Sequence, residues 1–151
     1  MPASEPAAVA ALGRDDLGFL LAKATQRWNE LLAERFAAAG YADVRPSYGS
    51  VLLPLYEQDG LRMGELARRA RLSKQTMTTM IRRLEGDRLV ERRPDPQDAR
   101  ASLIFLTPRS RRFEPVAAAT LRGLDTLARR RLSAQGVAAV KEALRELVEL
   151  G

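Results

Sequence analysis

Residues 72–84 read LSKQTMTTMIRRL. Met77, Met80, Ile81 and Leu84 recur at three- and four-residue spacing, which predicts a helix over 73–87 with one apolar face. Ser73 is placed to cap its first turn through the side-chain hydroxyl. Thr76, Thr78 and Thr79 crowd the other side, where a stable surface helix would carry Ala, Glu or Lys. On a wheel of ~100° per residue, Gln75, Thr79, Arg82 and Gly86 lie opposite the apolar face, flanked by Thr76, Thr78 and Arg83. The stem of Arg88 falls on the inward side. No acid stands among the outward residues, although a merely solvated face would mix signs for i,i+4 pairing. This face offers amide, hydroxyl and guanidinium groups, the types that bond base edges and phosphates in a DNA major groove. Singly, each is an ordinary surface residue; together, behind a two-helix unit, they point to DNA.

Working outward, residues 64–70 predict a short helix with Leu66, Ala67 and Ala70 on one face, and Arg71-Leu72 a tight turn. The three pieces make a helix-turn-helix, a weak signal alone because two short helices and a turn are common. The segment after residue 88 strengthens it. Residues 89–93 and 101–106 have strand composition and flank the polar loop PDPQDAR, predicting a hairpin whose tip gathers Arg92, Arg93 and Arg100. Its inward residues are Leu89, Leu103 and Phe105, or their alternates. A basic hairpin beside such a helix can lay an arginine in the neighbouring minor groove. Asp98 and Arg100 are also placed to form a local salt bridge that shapes the loop.

Helices flank this unit. Asp15-Asp16 precede Leu17, Leu20, Leu21, Ala24, Trp28, Leu31, Leu32 and Phe36, an amphipathic helix of about seven turns that stops at Gly40. Pro46-Ser47 open a second helix, ended by Asp59-Gly60, and Pro54 inside it predicts a kink or a late start. Thr107-Pro108 start a long helix to about Arg131, with a bend expected at Pro115, and Ser133 caps a final one.

Charge and composition narrow the function. Residues 1–61 carry a balance of −3, residues 62–112 one of +8 and residues 113–151 one of +1, so the middle third holds the basic excess that a polyanion would neutralise. The 151 residues contain no Cys and no His, which leaves out disulfides, zinc sites of the usual kind and imidazole-assisted nucleophiles. Glu30, Glu34, Glu57 and Asp59 read as solvated carboxylates rather than a convergent acid–base set, so neither an enzyme nor a bound cofactor is expected. The opening MPASEPAAVAAL lacks the basic segment of a signal peptide and no stretch approaches the ~20 apolar residues of a membrane span. The expectation is a disordered tail over 1–12 on a cytoplasmic protein.

Residues 98–107, DARASLIFLT, fit the Asp-x-Arg-x5-Leu-Thr signature of the MarR family of bacterial winged helix-turn-helix transcriptional regulators. The preceding GELARRARLSKQTMTTMIRRLEGDRLVERRPDPQD resembles the same family. The resemblance implies a mainly α fold: a winged helix-turn-helix lobe over 46–107 with a two-stranded β-hairpin wing, and dimerisation helices over 13–45 and 108–150. It implies a homodimer on a palindromic double-stranded DNA operator, acting as a repressor. Ser73, Lys74, Gln75, Thr76, Thr78, Thr79, Arg82 and Arg83 would face the major groove or its phosphates, with Arg100 in the minor groove and Arg92, Arg93 and Asp98 beside it. A small phenolic or anionic effector is implied too, and Trp28, Arg45, Tyr48 and Tyr56, with Arg27 nearby, are the candidate liners. The sequence departs from the family's pattern at Gly64, where a hydroxyl cap is common, at Ser110, where Gly is common, and at Pro115. The alternative reading is a non-specific architectural DNA-binding protein, which would bind all sequences with similar affinity.

Two physical features argue for the dimer independently. The flanking helices present apolar faces that a lobe of ~60 residues cannot bury alone. Two recognition helices must also sit about 34 Å apart to enter successive major grooves, which requires a long scaffold.

Overall fold

The computed structural model describes residues 13–151. The expected tail at 1–12 lies outside the described residues. Asp16 caps the first helix, α1 (Leu17–Ala38), its carboxylate accepting the Phe19 N–H at 3.0 Å, and the chain leaves through Gly40 at φ +92°. A single 3₁₀ turn (Pro46–Tyr48) leads directly into α2 (Gly49–Glu57), so the helix runs through Pro54 instead of starting late there. Next come β1 (Leu61–Arg62), α3 (Met63–Ala70), α4 (Lys74–Gly86), β2 (Val90–Asp95), β3 (Asp98–Leu106) and α5 (Pro108–Val148). Gly64 stands inside α3, whose N-cap residue Arg62 makes no side-chain capping bond.

The sheet has three strands in the order β1-β3-β2, all antiparallel. Its two-residue β1 was not expected from the sequence. The wing also differs from the expected seven-residue loop. Both strands continue into PDPQDAR until Asp95 faces Asp98, leaving Pro96-Gln97 as the turn. Of the alternate inward sets, Leu89, Val90, Ile104 and Leu106 are buried, while Leu103 and Phe105 are half-exposed.

Met77, Ile81 and Leu84 of α4 are fully buried in a core shared with Val51, Leu55, Leu66, Leu89, Ile104 and Phe113. Burying three such side chains favours the fold by about 1.5–3 kcal/mol each, against roughly 0.5 kcal/mol of helix propensity lost at each threonine. Packing therefore holds α4 as a helix, and its outward residues are relieved of that task. Phe113 closes the core with edge-on contacts to Phe36 and Tyr41, both at 4.9 Å between ring centres.

Thr107 caps α5, accepting the Ser110 N–H at 3.2 Å. The departure from helical angles in α5 falls at Ser133 (φ 69°, ψ 167°), not at Pro115, and divides α5 into two arms. Ser133 caps the second arm by accepting the Gly136 N–H at 3.1 Å. Ser110 is fully buried and its hydroxyl donates to the Leu89 carbonyl, tying the start of α5 to the lobe.

Candidate nucleic-acid interface

The reverse turn into α4 is set by Arg71, in the left-handed region at φ 55°, and by the Leu72 N–H, which bonds back to the Ala67 carbonyl at 3.0 Å. Ser73 then accepts the Thr76 N–H at 3.1 Å and donates to the Thr76 hydroxyl at 2.9 Å. The threonine hydroxyls are used locally. Thr79 donates to the Gln75 carbonyl at 3.2 Å, and Thr78 to the Lys74 carbonyl at 2.8 Å. Such back-bonding holds a mid-helix hydroxyl against its own turn and leaves its lone pairs as acceptors. Thr78 differs from its neighbours: it is half-buried, with its hydroxyl 3.3 Å from the Met63 sulfur, and belongs to the α3–α4 contact. Ser73, Lys74, Gln75, Thr76, Thr79, Arg82 and Arg83 are exposed together along one flank of α4.

Arg88 reverses its expectation. α4 ends at Gly86, Asp87 is the C-cap, and Arg88 takes φ 60°, which swings its side chain into solvent instead of into the core. The signal that could have found it is Gly86-Asp87, a helix stop past which the wheel should not have been continued.

The expected arginine cluster at the wing tip is not formed. In register Arg92 faces Ile104 and Arg93 faces Leu103, mid-strand, and the two point to opposite sides of β2. Arg92 pairs with Glu85 at 2.8 Å, bracing the wing against α4. Arg93 pairs with Glu91 and lies 4.2 Å over the Phe105 ring. The expected Asp98–Arg100 salt bridge is absent among the described residues. Asp98 accepts the backbone N–H of Arg100 at 3.0 Å instead, which leaves the Arg100 guanidinium exposed at the tip.

Ion pairing sorts the eleven basic side chains of residues 46–107. Arg62, Arg68, Arg69, Arg71, Arg92 and Arg93 each have a carboxylate partner. Glu65 takes both Arg68 and Arg69, whose hydrogen bonds hold its carboxyl down at about 2. Arg71 reaches Glu149 at the end of α5. Among the described residues, Lys74, Arg82, Arg83, Arg88 and Arg100 have none, and they lie on α4, at its exit and at the wing tip. Within residues 46–107, the positive charge without an acidic partner among the described residues thus lies along α4, at its exit and at the wing tip.

The four candidate ligand contacts do not converge. Tyr48 is 2% exposed and donates to Asp87 at 2.6 Å; burial first, and then that carboxylate, push its hydroxyl up to about 12. Tyr56 donates to the Ser110 carbonyl at 2.7 Å, and burial raises its hydroxyl as well. Both tyrosines are structural: Tyr48 ties the 3₁₀ turn to the end of α4, and Tyr56 ties α2 to the start of α5. Arg45 is exposed on the loop before the 3₁₀ turn. Trp28 instead lines a groove of about 1010 Å³ between α1 and the two arms of α5, with Leu21, Leu121, Leu132, Val140 and Leu144.

Asp59 is not the solvated carboxylate it resembled. It accepts the N–H groups of Gly60 and Leu106, at 3.0 and 2.8 Å, and pairs with Arg111 at 2.5 Å, linking α2, β3 and α5. Arg109 makes a parallel joint, donating to the Asp87 carbonyl at 2.6 Å and to Asp43 at 2.7 Å, which holds the Asp43 carboxyl below its usual range. Among the described residues no three carboxylates gather as a metal site requires, and no helix is long and apolar enough to cross a membrane.

Residues 46–102 match the family model described as MarR family. Over 61 residues the chain is 41% identical to the HTH-type transcriptional regulator TtmR of Methylorubrum extorquens (strain PA1), a match spanning 40% of this chain and 31% of that protein. The fold is similar to that of a probable transcriptional regulator from Pseudomonas aeruginosa, with a TM-score of 0.77 and 28% identity over 88% of this chain and 97% of that one. It is also similar to a mutant MarR from E. coli complexed with operator DNA, with a TM-score of 0.76 and 25% identity over 88% and 94% of the two chains.

Proposed function

We propose, from the match of residues 46–102 to the MarR family model, that the protein is a transcriptional regulator that binds double-stranded DNA sequence-specifically. It acts in this proposal as a homodimer on a palindromic operator and represses. The observation that carries it is the sorting of charge: the cations of the lobe without an acidic partner among the described residues lie on α4, its exit and the wing tip. Lys74, Arg82, Arg83 and Arg88 would meet phosphates and base edges beside Gln75, Thr76 and Thr79, and Arg100 the minor groove. Arg92 and Arg93 would brace the wing, and Asp98 would orient Arg100.

The second copy is supported by the groove between α1 and α5. Leu121, Leu132, Val140 and Leu144 line it and stay 37–47% exposed in a single chain. An apolar surface of that continuity on a soluble domain marks an interface. A small aromatic or anionic effector would meet Trp28 and Arg122 in the same groove, and the fluorescence of Trp28, the one tryptophan of the chain, would report it. Binding rather than catalysis is supported by the carboxylates, since Asp59 and Glu30 are engaged with neighbouring backbone and basic groups.

The test is selection of duplexes from a random pool by the purified protein, then anisotropy titration. A regulator enriches an inverted repeat, and Arg82→Ala weakens its binding by about 1–3 kcal/mol. Equal competition by unselected DNA at fixed salt would instead mark an architectural binder.

A further inference from the structure

We propose that Arg62 is a positioning residue for the wing: through Asp95 it fixes where the hairpin tip holds Arg100. This inference rests on the DNA-binding reading above.

The geometry starts from β1, which is two residues long and lies on the far side of β3 from β2. In register Arg62 faces Leu103, and Leu103 faces Arg93. From there the Arg62 guanidinium reaches across β3 to Asp95 near the end of β2, closing to 2.6 Å. Asp95 is turned inward where the β2–β3 register shifts between Pro94 and Asp95, and its side chain is only 5% exposed. Its other oxygen accepts the Gln97 N–H at 2.9 Å, so one carboxylate is bonded both to the distant strand and to the turn. Asp98, opposite Asp95, then accepts the Arg100 N–H. The chain of contacts runs from β1 through Asp95 and the turn to the backbone that carries Arg100.

Beneath the turn lies an open pocket of about 460 Å³ bounded by Gly60, Leu61, Glu65, Pro96, Gln97 and Leu103, so the Arg62–Asp95 pair spans space that side chains do not fill. The tip therefore has little side-chain packing beneath it, and the ion pair is the tie that crosses that space. Arg62 is about half exposed, but its charge is already committed to Asp95, unlike that of Arg100, which has no carboxylate partner among the described residues. Removing the guanidinium strands a buried carboxylate and frees the tip.

The experiment uses the full chain and one duplex chosen by the wild-type protein from a random pool. Affinities are measured for wild type, Arg62→Ala, Arg100→Ala and the double variant, with melting curves and amide hydrogen exchange of the free proteins. We expect Arg62→Ala to weaken binding about tenfold and the double variant to bind no more than about twofold worse than Arg100→Ala alone, because coupled positions are not additive. Exchange over residues 95–100 should accelerate while α4 stays protected, and Arg62→Lys should recover most of the affinity. If Arg62→Ala does not fold, Arg62→Gln, which keeps donors on a shorter stem, carries the same comparison. A double variant whose loss is the product of the two single losses would show that Arg62 acts independently of Arg100, and an Arg62→Ala protein that binds like wild type would equally overturn the proposal. Failure of the wild-type protein to select any duplex removes the DNA-binding reading itself, before any variant is compared.

Discussion

Arg88→Ala separates two placements of one side chain. If the α4 wheel continued to residue 88, the arginine stem would lie in the core and its truncation would lower the melting temperature by several degrees. In the structure the chain turns at φ 60° and the guanidinium is exposed, with no carboxylate partner among the described residues. The backbone carbonyl of Arg88, which accepts the Thr107 hydroxyl at 2.6 Å, is retained in the alanine variant. Stability should therefore change by no more than about 0.5 kcal/mol. Binding should change in a specific way. The five cations of each lobe that have no carboxylate partner among the described residues make ten in a dimer, and if each displaced one counterion the slope of log K against log salt would be about −9. Losing Arg88 from both copies reduces it to about −7.2. Between roughly 50 and 200 mM salt the wild type would then weaken by about 10^5.4 and the variant by about 10^4.3. Anisotropy titrations of one selected duplex at four or five salt concentrations measure both slopes. An unchanged slope together with a melting temperature lowered by several degrees would refute the exposed placement.

Single contacts set further outcomes. Ser133 combines a backbone strain of about 1–3 kcal/mol with a capping hydroxyl, so Ser133→Gly should hold or raise stability while Ser133→Ala loses about 1 kcal/mol; equal urea midpoints at one protein concentration would dismiss the strained elbow. Tyr48 has a raised hydroxyl pKa, so its contribution is fully present below the unfolded value of about 10 and is lost as pH rises toward about 12. Tyr48→Phe should flatten part of the alkaline fall in melting temperature, the remainder belonging to Tyr56, which shifts with the same sign. Gly60 sits at φ +70° with the Phe105 ring 2.8 Å from where a Cβ would stand, so Gly60→Ala should cost at least about 1 kcal/mol in denaturant melts.

Much of this protein is local and was therefore legible in its sequence. The face of Met77, Ile81 and Leu84, and the caps at Ser73, Thr107 and Ser133, depend on groups within four residues of one another. Periodicity and cap chemistry report such groups directly. The outward flank of α4 was legible for the same reason, since a face is a matter of spacing. Which arginines are free was not. Arg71 finds Glu149 across 78 positions, Asp59 finds Arg111 across 52, and Arg62 finds Asp95 across a strand between them. Whether Ile104 or Phe105 turns inward depended on a register that one residue of slip would invert. Composition counts a guanidinium as positive wherever it stands, and only the folded chain brings it within reach of the carboxylate that cancels it.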